Sequence, residues 1–85
     1  MHELLENINK VHTTQMGITR IKKNLELDTD DIVEWCKDKT LNAKEIVMNG
    51  KNWYVDIGES IITINKNSYT IITAHKKRNK VVRIL

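Results

Sequence analysis

The side chains here able to move a proton or hold a phosphate form a scattered polar set. His12 and Arg20 lie in the first third of the chain, and Ser68, Thr70, Thr73, His75 and Lys76 in one β-rich run near its end. An imidazole exchanges a proton near neutral pH, and a neighbouring cation stabilises charge that develops on a phosphate. Those are the needs of metal-free RNA cleavage, in which a base activates the ribose 2′-hydroxyl and an acid protonates the leaving oxygen. Period-2 alternation places Tyr69, Ile71, Thr73 and His75 on one face of the last strand and Ser68, Thr70, Ile72 and Ala74 on the other. Thr73 and His75 then point the same way, about 7 Å apart.

Other chemistries find no support. The glycines Gly17, Gly50 and Gly58 are unclustered, so no phosphate-cradling loop exists. His2, His12 and His75 lack i, i+4 spacing, and a single cysteine, Cys36, rules out an internal disulfide and a multi-cysteine zinc site. No cofactor or metal is expected. Cys36, beside Trp35 on a helix face, reads as a buried, inert thiol.

Each residue also has a plainer role. His12 can cap a helix or complete a turn, and Arg20 can pair with Glu26 or Asp28. Thr73 suits any strand, and His75 can mark where the strand meets solvent. Trp53 and Tyr54 are able to stack on bases, but in a chain with four aromatics and no Phe a core role for Trp53 fits better.

The net charge of +3 is unevenly spread. Residues 1–75 carry nine Lys or Arg against eleven acidic residues, a balance of −2, whereas Lys76, Lys77, Arg78, Lys80 and Arg83 place +5 on the last ten. With Lys22 and Lys23 on the flank of a helix, the residues Lys76, Lys77, Arg78 and Lys80 are the expected nucleic-acid contacts, because each phosphate neutralised releases counterions. A solvated tail is the alternative. The expected partner is RNA or another polyanion, or else a protein.

The elements that must position these groups follow from periodicity and turn chemistry. At 85 residues the chain has room for one core, hence one domain over 1–85. Leu4, Leu5, Ile8 and Val11 predict a short helix ending near His12. Thr13 or Thr14 caps a second, with Ile18, Ile21 and Leu25 on one face. A third restarts at Asp28 or Thr29, with Asp30, Asp31 and Glu34 in its first turns, and ends at Lys39. The helical part spans about 3–40 and an antiparallel meander about 45–75. In the meander, Asn49-Gly50 predicts a type I′ hairpin turn between Ile46–Met48 and Lys51–Val55, and further strands cover Ser60–Asn65 and Ser68–His75. Residues 76–85 form a basic tail or a fifth strand at Val81–Leu85. The class is α+β, about three helices on one face of a four- to five-stranded sheet, with the other face left to solvent or ligand. No apolar run approaches the roughly 20 residues of a membrane span, and Met1–Glu6 lacks a signal-peptide pattern, so a cytoplasmic protein is expected.

The run His12-Thr13-Thr14-x-x-Gly17-x-x-Arg20-Ile21-x-x-Asn24-Leu25, with Lys51-Asn52-Trp53-Tyr54-Val55 and Ser68-Tyr69-Thr70-Ile71-Ile72-Thr73-Ala74-His75-Lys76, resembles a family of small uncharacterised bacterial domains over nearly the whole chain. More distantly, the order of a His and an Arg on helices, a meander, and a last strand reading Ile-Ile-Thr-Ala-His resembles the barnase, EndoU, colicin and RelE-like ribonucleases. That second resemblance implies a metal-independent endoribonuclease-like domain with His12, Arg20, Thr73 and His75 in catalytic roles and Ser68 as a further candidate. A non-catalytic binding protein of another class is the alternative: a phage- or plasmid-borne inhibitor of a host nuclease such as an anti-CRISPR, or an antitoxin-like partner. Oligomeric state is open.

Overall fold

Thr14 sets the first long element. Its hydroxyl accepts from the Gly17 N–H at 3.0 Å, satisfying a donor the first helical turn would otherwise leave unpaired. A computed structural model describes residues 2–77 of the chain. In it α1 spans Glu3–Glu6, a 3-10 turn Ile8–Lys10, α2 Gln15–Leu25 and α3 Ile32–Leu41, followed by strands β1 Glu45–Asn49, β2 Asn52–Asp56, β3 Ser60–Asn65 and β4 Ile71–Lys76. The four strands form one antiparallel sheet in the order β1-β2-β3-β4, which makes this an α+β fold. The expected fifth strand, at 81–85, lies outside the described residues.

Helical residues Leu4, Ile21, Leu25, Ile32 and Cys36 share one core with the inward side chains Trp53, Val55, Ile62, Ile64, Ile71 and Ala74 of the sheet. The rings of His2 and Tyr69 meet Trp53 edge-on, at centroid distances of 5.8 and 5.3 Å. Cys36 is fully buried, and burial pushes its thiol up to about 12, consistent with an inert role. On the opposite, helix-free face, the register aligns Val47, Tyr54, Thr63 and Thr73 in one row across all four strands.

Gly17 has a packing reason. A Cβ there would lie 2.1 Å from Thr13 Oγ1, and that hydroxyl donates to the Ile71 carbonyl at 2.9 Å. With Asn24, whose amide donates to the Ala74 carbonyl at 3.1 Å, it fastens α2 along the outer edge of β4.

Several boundaries differ from expectation. The first helical stretch stops at Lys10, and His12 is extended, not helical. The cap of α1 is instead His2, whose Nδ1 accepts from the Leu4 N–H. Helix α3 starts at Ile32 behind Asp31 and runs on to Leu41; Asp30 sits before it and pairs with Lys22. In the first hairpin Asn49 pairs with Asn52, so the two central residues are Gly50 and Lys51. Only Gly50 has a positive φ, 65°, the pattern of a II′ turn and not of I′. Strand β4 begins at Ile71 because Tyr69 takes φ 62°. A bulge leaves Ile72 unpaired between Ile71 and Thr73, which breaks the alternation: Ile71 and Ala74 are buried, while Thr73 and His75 still share the other face.

Candidate functional site

The left-handed turn at Tyr69 builds a polar group at one end of the sheet. It lets the chain lie beside residue 12 as a short parallel bridge: the His12 N–H donates to the Tyr69 carbonyl at 3.1 Å, and the Ile71 N–H donates to the His12 carbonyl at 2.7 Å. A non-glycine residue at positive φ costs of order 1 kcal/mol or more, and here the buried, edge-stacked tyrosine ring offsets it.

The bridge orients an imidazole. His12 Nδ1 lies 2.8 Å from the Lys10 carbonyl, which can only accept, so Nδ1 carries the proton. In the neutral ring Nε2 is then the acceptor, and it faces the Thr70 hydroxyl at 3.2 Å. Ser68 Oγ follows, 2.8 Å from Thr70 Oγ1 and 3.2 Å from Asn65 Oδ1. Asn65 Oδ1 also accepts from the N–H groups of Asn67 and Ser68, each at 2.9 Å, and so fixes the β3–β4 turn. A polar cluster of His12, Thr70, Ser68 and Asn65 results, in which two hydroxyl protons are shared among three contacts, with the imidazole and Ser68 open to solvent.

The two hairpin turns at this end touch, since the Lys66 N–H donates to the Lys51 carbonyl at 2.8 Å. Asn49, Asn52 and Asn65 form one row across β1, β2 and β3. Lys10 extends over the Tyr69 ring, 5.6 Å from its centroid. Residues 49–52, 65–70 and 10–13 contain Lys10, Lys51 and Lys66 and not one Asp or Glu. The carboxylate touching this group is Glu3, which accepts from the Tyr69 hydroxyl at 3.5 Å behind the turn.

The opposite end differs. His75 shares its row with Glu45, Asp56 and Ile61, and it stands five residues from Thr70, roughly 16 Å along β4. His12 and His75 therefore sit at opposite ends of the strand, and Thr73 lies between them in the middle of the helix-free face. Of the expected catalytic set, the structure brings together His12 and Ser68 alone. Arg20 lines a shallow hollow of about 440 Å³ on the solvent side of α2 with Met16 and Lys23, and neither Glu26 nor Asp28 pairs with it among the described residues. A second hollow, about 480 Å³, lies near Trp35, Ser60 and Lys76, and neither hollow contains a histidine.

Three of the lysines expected to meet nucleic acid meet carboxylates. Lys22 pairs with Asp30, Lys76 with Glu26 at 3.1 Å and Lys77 with Asp56 at 2.9 Å. The Lys77 ammonium, helped by the Gly58 N–H, holds the Asp56 carboxyl below its usual range. Lys22 does the same for Asp30. Lys23 is exposed, and Arg78 and Lys80 lie outside the described residues. The groups that sequence reasoning passed over are Lys10, Lys51, Lys66 and Asn65. For Asn65 and Lys66 the signal available was the absence of any acidic residue from Ile61 to Lys76.

This combination defines a small α+β domain with an exposed polar end whose turn segments carry lysines and no acidic residue. The chain belongs to the family described as protein of unknown function (DUF3781), which matches residues 5–75. No curated protein and no solved structure matches it, so the ribonuclease resemblance rests on the residue pattern alone. No helix among the described residues is long and apolar enough to cross a membrane.

Proposed function

We propose that this domain binds single-stranded RNA across its hairpin-turn end. The supporting observation is the cluster there: three lysines, a ladder of asparagines and the hydroxyls of Ser68 and Thr70 around an oriented imidazole. Lysines, amides and hydroxyls are the donors that protein surfaces offer to phosphate and ribose oxygens. The paired lysines at the other end suit this role less, because Glu26 and Asp56 already sit against them.

A narrower reading adds cleavage. His12 Nε2 presents the lone pair that a ribose 2′-hydroxyl needs in a base, and the Lys10 carbonyl fixes the tautomer. His75 is too distant to supply the acid, so His12 alone would carry the imidazole chemistry.

The test is fluorescence anisotropy of the full chain with a labelled single-stranded RNA in EDTA, with the RNA then run on a denaturing gel. The paired change Lys51→Glu, Lys66→Glu is expected to weaken binding by about tenfold or more, and Lys76→Glu to change it little. Equal affinity for wild type and K51E/K66E would remove the proposal. RNA that stays intact at high protein concentration would remove only the cleavage reading.

A further inference from the structure

The two edges of the sheet are treated differently by the fold. The β4 edge is closed: Thr13 and Asn24 donate to the Ile71 and Ala74 carbonyls, and His12 pairs with the entry to the strand. Among the described residues, nothing covers the β1 edge. It holds no proline, bulge or central charge, and four of its five residues are exposed, with Val47 46% and Met48 59% accessible.

Register fixes which backbone groups β1 offers. Asn49 and Asn52 flank a two-residue turn and form a hydrogen-bonded pair, so Val47 with Tyr54 and Glu45 with Asp56 follow as the pairs that bond to β2. The N–H and C=O groups of Ile46 and Met48 therefore point away from β2, and no described residue bonds to them.

We infer that β1 pairs antiparallel with β1 of a second copy, centred on Val47, to make a continuous eight-stranded sheet. That register sets Ile46 against Met48 of the second copy twice over, which satisfies all four outward N–H and all four outward C=O groups of the two strands. It is also complementary in its side chains. Val47 meets its own counterpart at the close, non-hydrogen-bonded position, and Glu45 falls opposite Asn49, so no like charges face each other. A two-fold axis normal to the sheet relates the copies, the interface is isologous, and the helices of both copies lie on the same side. The inference does not rest on the RNA reading, although Asn49 belongs both to this edge and to the asparagine row at the turn end.

Sedimentation velocity over a concentration series tests it first: the wild-type chain is expected to form a dimer, and Val47→Lys to weaken self-association by roughly tenfold or more by opposing two ammonium groups. A second arm reads the register without depending on V47K. Under mild oxidation Val47→Cys is expected to form a covalent dimer, while E45C and N49C cross-link only when mixed; buried Cys36 does not compete. A wild-type chain that remains monomeric throughout overturns the inference. So does a dimer that V47K leaves intact, or one in which V47C fails to cross-link.

Discussion

His12 Nε2 and Thr70 Oγ1 lie 58 positions apart in the chain and 3.2 Å apart in space, and the whole candidate site is organised around that contact. Nothing equivalent joins His12 to His75. The two histidines are therefore expected to separate cleanly in any RNA assay. His12→Ala should lower RNA affinity several-fold, whereas His75→Ala should bind as wild type. Where cleavage is seen in EDTA, it should vanish in H12A and persist in H75A. An H75A variant as defective as H12A would contradict the placement of the site.

Salt dependence tests the same site independently. Each lysine that releases a counterion from RNA contributes to the slope of log K against log salt, so K51E/K66E should flatten that slope by about one to two. Anisotropy titrations between low and physiological salt measure this directly. An unchanged slope would mean that neither lysine neutralises a phosphate.

Gly17→Ala is expected to destabilise the domain by about 1–3 kcal/mol, although alanine is the better helix former by up to roughly 1 kcal/mol. The new Cβ would collide with Thr13 Oγ1, which is held in place by the Ile71 carbonyl. Urea unfolding should show the loss, and it should shrink in a Thr13→Ala background because the colliding atom is gone. Additive losses would show that the collision is not the cause.

Cys36 should ignore thiol reagents while the protein is folded. Its thiol is buried and pushed up to about 12, so little thiolate exists at neutral pH. Reaction with an aromatic disulfide reagent should be slow in buffer and fast in denaturant.

Asp56 gives the fold a defined response to acid. Its folded pKa is lowered by the Lys77 ammonium and the Gly58 N–H, so its contribution is complete above the unfolded carboxylate value of about 3.9 and is lost as pH falls through the folded value. Asp56→Asn should therefore cut the loss of stability below about pH 4, read as a shallower dependence of Tm on pH. Lys77→Met should do the same.

Much of the framework was legible because it is local. Ser60–Asn65 forms a strand at the expected bounds, since β-branched isoleucine and threonine dominate a short run between two turn signals, and Thr14 caps α2 through its own hydroxyl. The departures arise from contacts between distant residues. Nothing near position 12 announces that His12 will bridge to Thr70, and nothing in Ile71-Ile72-Thr73 marks which residue the bulge will leave out. The lysine partners are hidden in the same way, with Lys76 and Glu26 separated by 50 residues. Conversely, Lys51 and Lys66 look unrelated in sequence and become neighbours only because β2 and β3 run antiparallel in a register that stacks their turns.

The fastening of α2 to β4 also dictates an order of events during synthesis. Helix α2 leaves the ribosome first, yet the carbonyl that receives its Asn24 amide belongs to Ala74, 50 residues later. While translation continues, Ile21 and Leu25 have no finished strand to cover them, and the hairpins between β1 and β4 can form by themselves from neighbouring segments. The nascent chain thus carries an uncovered greasy helix until its last described strand emerges, which makes that interval the point at which chaperones have most to protect.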